Sequence, residues 1–165
     1  MKRIVSLALG AQVIAVWLFI GAAHAQINSP PPPLQGQPSY HLYSVPGVVD
    51  LPQLGTFFAC TNTTDATIRV GVEIFGAAGG GAGNDPSGSS LDIPAGGMRL
   101  FGTDETVWVS IHSDVGGAIG KGSARILATA KSGIICTAFL ADPGNDPPTS
   151  MADLKVVKKM RQKGD

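Results

Sequence analysis

Thr67-Ile68-Arg69-Val70-Gly71-Val72-Glu73-Ile74-Phe75 is the stretch on which the fold class turns. Ile68, Val70, Val72 and Ile74 recur at every second position, with Arg69, Gly71 and Glu73 between them. A period of two is that of a β-strand, whose successive side chains point to opposite faces. One face is expected to meet a core and the other to meet water. Outward from this strand, short apolar or alternating runs follow one another at 55–61, 91–93, 98–103, 105–112, 123–130 and 133–141. In the 105–112 run, Val107, Val109 and Ile111 fall on one side and Trp108, Ser110 and His112 on the other. Residues 40–45 supply a further edge strand, limited by Pro46.

The separators fit antiparallel hairpins. Asn62-Thr63-Thr64-Asp65 and Lys131-Ser132-Gly133 have hairpin-loop length, and Pro94-Ala95-Gly96-Gly97 reads as a turn. The chain has 165 residues with 22 Gly, 12 Pro and only 15% charged residues, which argues against a helical bundle, a coiled coil or a charged disordered chain. With no convincing helix in the body, a second sheet must cover the apolar face of the first, so an antiparallel two-sheet β-sandwich is expected over residues 40–148. At the level of architecture only, the strand count and spacing are similar to immunoglobulin-like and fibronectin type III-like sandwiches.

The first 25 residues read as an export signal. Met1-Lys2-Arg3 is a positive start, residues 4–23 form an apolar signal helix, and Ala23-His24-Ala25 has the small-x-small form cut before Gln26. If residues 4–23 stay attached they are long enough to span a bilayer, and the chain becomes a membrane-tethered accessory subunit. Cleavage after Ala25 leaves 140 residues with ten basic and twelve acidic side chains. Residues 26–39, with Pro30-Pro31-Pro32-Pro33, read as an extended spacer, since proline lacks an amide donor and fixes φ.

Cys60 and Cys136 are the only cysteines, each inside an expected strand, and a secreted or periplasmic location favours their pairing as a staple between neighbouring strands or across the two sheets. Closing a loop of this length is worth about 4.5 kcal/mol on the chain-entropy model. Immunoglobulin domains also link two strands through cysteines with a Trp between, and Trp108 lies between. The second Cys there sits on the penultimate strand, whereas Cys136 falls on the last expected strand of the body.

Candidate chemistry is sparse. The glycine-rich stretch 76–90 lacks the Gly-x-x-x-x-Gly-Lys-Ser/Thr spacing of a phosphate loop and reads as a loop at a sheet edge. Asn84-Asp85-Pro86 recurs as Asn145-Asp146-Pro147, with Asp142 nearby, so Asp85, Asp142, Asn145 and Asp146 are the weak calcium candidates, although the same residues are ordinary turn formers. For hydrolysis, the mature chain offers His41 and His112 as bases but no Gly-x-Ser-x-Gly elbow. A metal-dependent or hydrolytic periplasmic enzyme would use His112 with Asp104, Glu105 or Asp114. No cofactor is expected. Tyr40, Tyr43 and Trp108 make a thin platform for carbohydrate.

The tail 149–165 is basic. Leu154, Val157 and Met160 recur every third residue among Lys155, Lys158, Lys159, Arg161 and Lys163, which reads as a short amphipathic helix. The expectation from sequence is an exported β-sandwich that binds or builds and does not catalyse. Its contacts would come from the glycine-rich loop, the Trp108, Ser110 and His112 face, or the basic tail. Its partner would be an envelope or extracellular protein or polymer, with no nucleic acid, and a membrane only if the N-terminal segment is retained.

Overall fold

A computed structural model describes residues 27–79, 81–117 and 119–159. The signal segment, including the Ala25/Gln26 junction, lies outside the described residues. Among those described there is no helix, and the described body is all-β as expected. The strands are β1 (Tyr40–Leu51), β2 (Leu54–Asn62), β3 (Ile68–Gly76), β4 (Leu91–Ile93), β5 (Met98–Gly102), β6 (Ser113–Asp114), β7 (Lys121–Ala128), β8 (Ile134–Ala141), β9 (Met151–Leu154) and β10 (Val157–Lys158).

The strands form two arms. One runs β4-β3-β7-β1-β10 and the other β6-β5-β2-β8-β9. The arms are continuous because Asp50 and Leu51 at the end of β1 pair with Gly55 and Leu54 of β2. The result is a single bent sheet, nearly closed like a barrel. Hydroxyls pin the β1/β2 corner: Thr56 Oγ1 accepts from Val49 N–H (2.8 Å) and donates to Val49 O, and Thr103 Oγ1 donates to the same carbonyl. On the other side, Asn62 Nδ2 donates to Ile93 O (2.9 Å) and Ala66 O, tying β2 to the end of β4. Tyr43 of β1 donates its hydroxyl to Ile134 O of β8 (2.6 Å).

The alternation read from 68–74 puts Ile68, Val70, Val72 and Ile74 into the main core. There they meet Val45 and Val48 of β1, Phe58 of β2, Phe101 of β5, Ile126 of β7 and Ala138 of β8. Burying apolar side chains from both arms in one interior is what stabilises the bend, at roughly 1.5–3 kcal/mol per large side chain.

Five expectations are corrected. First, β1 is not an edge strand ending before Pro46. It runs twelve residues through that proline, between β7 on one side and β10 and β2 on the other. A register shift between Pro46 and Val48, with Gly47 at φ +82°, absorbs the missing proline donor. Second, 105–112 is not a strand. Thr106 Oγ1 accepts from the amides of Trp108 and Val109 and donates to Val109 O, so local bonds capture backbone groups a ladder would need.

Third, the tail over 151–158 is not a helix. Leu154 and Val156 pack on the core, while β9 fills the open edge of β8 and β10 that of β1. So short a helix would be marginal alone, whereas edge pairing satisfies the backbone at once. Fourth, residues 27–37 are not a free spacer. Leu34 is fully buried, and a tight turn closes between Leu34 and Gln37, with Gln35 and Gly36 at positive φ. Fifth, the second face of β3 does not meet water, because this segment lies over it as a strap.

Candidate functional site

The outer face of the first arm carries Gly71, Glu73 and Phe75 from β3 and, by register, Leu127, Arg125 and Ser123 opposite them on β7. Cross-strand partners share a face. Here that face is a second interior: Leu127 and Arg125 are fully buried, Glu73 is 1% exposed and Phe75 5%. Arg125 Nε donates to Glu73 Oε2 (2.5 Å), and its guanidinium lies 5.3 Å from the Phe75 ring centroid. The remaining donors go to the strap: Nη1 to Ser29 O (2.6 Å) and Ile27 O (3.1 Å), and Nη2 toward Ser29 Oγ. A buried charge is tolerable only when paired and fully hydrogen-bonded, and here the strap's carbonyls complete the set.

The strap fits because Gly71 has no side chain. A Cβ there would stand 2.9 Å from Leu34 Cδ2 and 2.7 Å from Pro86 O. Loop 84–90 seals the edge. Asn84 accepts from Ile74 N–H and donates to Val72 O, and Gln35 N–H donates to Ser87 Oγ (2.8 Å). His41 shares this side of β1, with Nε2 3.0 Å from both Tyr43 O and Ser44 Oγ. Burial, then the positive charges of Arg125 and Lys159, hold its pKa down to about 4. It is neutral at physiological pH. An open groove of about 420 Å³ adjoins the strap, walled by Ile27, Phe75, Gly76, Ala77, Gly122 and Ser123 among others.

The outer face of the second arm is different. By register, Met98 of β5, Thr61 of β2 and Ile135 of β8 form one row, and Leu100, Ala59 and Thr137 the next. A third row, Phe57 and Phe139, is capped by Trp108, Val109 and Ile111 from the 103–112 loop. Trp108 meets Phe57 edge-on at 5.4 Å and donates its indole N–H to Asp142 O (3.1 Å). Leu100 is buried with that cluster, and beyond it the outermost row is open: Ile135 is 59% exposed and Met98 47%.

The candidates from sequence are dispersed. Cys60 and Cys136 do pair, as direct neighbours on β2 and β8 with Cα atoms 4.2 Å apart. The bridge lies within one arm, unlike the inter-sheet bridge of immunoglobulin domains. Trp108, Ser110 and His112 do not share a strand face. Trp108 caps the aromatic cluster, Ser110 is exposed in the loop, and His112 Nδ1 accepts from Leu100 N–H (3.2 Å). Asp104, Glu105 and Asp114 make no ion pair with His112 among the described residues. Asp114 instead accepts from Gly116 N–H.

Asp142 organises its own turn. Its oxygens accept from Thr149 Oγ1 (2.6 Å), Asn145 Nδ2 (2.5 Å) and Gly144 N–H, and these bonds pull its pKa down to about 2. Asp85 likewise accepts from Ser87 N–H and Ser89. Donors within each turn thus engage the Asp142 carboxylate at three points and the Asp85 carboxylate at one, and Asp146 precedes Pro147 across a cis peptide bond. Among the described residues no group of three or more His, Cys, Asp or Glu side chains is placed to hold a metal.

Sequence reading missed Arg125 and Glu73. Each is a lone charge inside an apolar strand, Ala124-Arg125-Ile126-Leu127-Ala128 and Val72-Glu73-Ile74-Phe75, and that interruption was the available signal. No family model, no curated protein and no solved structure matches the chain.

Proposed function

We propose that the chain is an exported binding or structural module without catalytic activity. In this reading the open outer face of β5, β2 and β8 is its contact surface and another exported protein is its partner. The arms serve as the two layers of a sandwich-like scaffold, held by the Cys60–Cys136 bridge in an oxidising compartment. The observation that carries the reading is the contrast of faces: one is sealed by the chain's own strap, the other leaves Met98 and Ile135 about half exposed. The rows Met98, Thr61, Ile135 and Leu100, Ala59, Thr137 contain no charge. Such a surface offers a polyanionic polymer nothing and suits the uncharged core of a protein interface.

A photo-crosslinking residue at position 135 of the exported protein tests this. A crosslink to one exported protein, lost in Met98→Asp and absent from a probe at Lys131, is expected. No crosslink at 135, or equal capture from 131, would overturn the reading.

A further inference from the structure

The buried guanidinium of Arg125 grips main-chain carbonyls at Ile27 and Ser29, two and four residues beyond Ala25. Ile27 is also a wall of the groove beside the strap. Its neighbours there, Phe75, Gly76, Ala77, Gly79, Gly122 and Ser123, offer no carboxylate, and the Phe75 ring already faces the Arg125 cation. Glu73, the acid nearest in register, is committed to Arg125 Nε. Cleavage after Ala25 would place a new α-ammonium on Gln26, one residue from a carbonyl held by a cation and beside a groove with no anion among its described walls. The positive charge of Arg125 acts against that ammonium, and no described wall of the groove offsets it.

We propose that Gln26 of the mature chain closes into a neutral five-membered lactam and that this ring is seated in the groove. The proposal rests on the export reading above. The α-amino nitrogen of Gln26 attacks its own side-chain amide carbon. The ring C–N bond forms, the bond from that carbon to the amide nitrogen breaks, and ammonia leaves with a proton from the amine. No oxidant, metal or second substrate is required. The product removes the terminal charge and leaves a compact ring suited to an apolar wall.

Intact mass of the freshly recovered exported protein decides it. The expected species is residues 26–165 lighter by one ammonia, with no α-amine open to labelling. Residues 26–165 at full mass with a reactive α-amine would overturn the lactam while leaving export standing. A mass that retains residues 1–25 would overturn the export reading and the lactam with it. Seating is tested by Gln26→Ala, its processing verified by mass, which keeps its ammonium. Its thermal midpoint is expected several degrees lower, with faster exchange of the Ala77 amide that donates to Lys121 O. An unchanged midpoint would overturn the seating.

Discussion

The two arms fasten their central strand pairs differently. In the second arm the cross-strand neighbours Cys60 and Cys136 are joined covalently and face the main core. In the first arm the cross-strand neighbours Glu73 and Arg125 are joined by charge and face outward, under the strap. A disulfide needs no cover, since it buries as a small apolar group. A buried ion pair needs every remaining donor satisfied, and that need is what recruits residues 27–29. The chemistry of the first-arm pair thus accounts for the closing of its outer face by the strap.

Breaking the covalent pair has the largest expected effect. Cys60→Ala with Cys136→Ala should lower unfolding free energy by about 4.5 kcal/mol on the chain-entropy model, read by denaturant titration. A loss under about 1 kcal/mol would mean that the bridge constrains little. Breaking the ionic pair comes next. Arg125→Met strands a buried carboxylate and two strap carbonyls, and should cost about 3–5 kcal/mol. Adding Glu73→Leu to it should recover part of that loss, because the uncompensated charge goes; a strictly additive double variant would contradict the pairing.

A smaller effect sharpens the first-arm side. His41 titrates near 6.5 unfolded and about 4 folded, so the unfolded chain binds the extra proton between those values. Its contribution is therefore fully present above pH 6.5 and lost as pH falls toward 4. His41→Gln should flatten that part of the stability profile, and an unaltered profile would assign the slope elsewhere. Smallest is the open face: Ile135→Thr should change stability by no more than about 0.5 kcal/mol, since the side chain is mostly in water. A multi-kcal loss would show that the face is covered.

Much of the fold was legible because period-two alternation is a local signal. It places 67–75 on β3, and the short apolar runs between turn formers at 55–61, 91–93 and 133–141 lie close to β2, β4 and β8. What was illegible is non-local. Glu73 and Arg125 carry the letters of solvated residues, and only the strap, about 45 and 95 positions away in sequence, makes them interior. The alternation at 105–112 is real, yet Thr106 spends the backbone groups of that run locally. In the tail, a three-residue apolar repeat that suits a helix was outweighed by two vacant sheet edges. The open row of Met98, Thr61 and Ile135 follows from register, which no single strand encodes.

The seal over the first arm is tested most directly by amide hydrogen exchange on the native full-length molecule and on Arg125→Met. The Leu34 and Gln37 amides, which donate across the strap's turn, should be strongly protected in the native protein and released in the variant. The β2 and β8 amides around the disulfide should stay protected in both. Exchange of Leu34 and Gln37 at unfolded-chain rates in the native protein would contradict the sealed face and the contrast built on it.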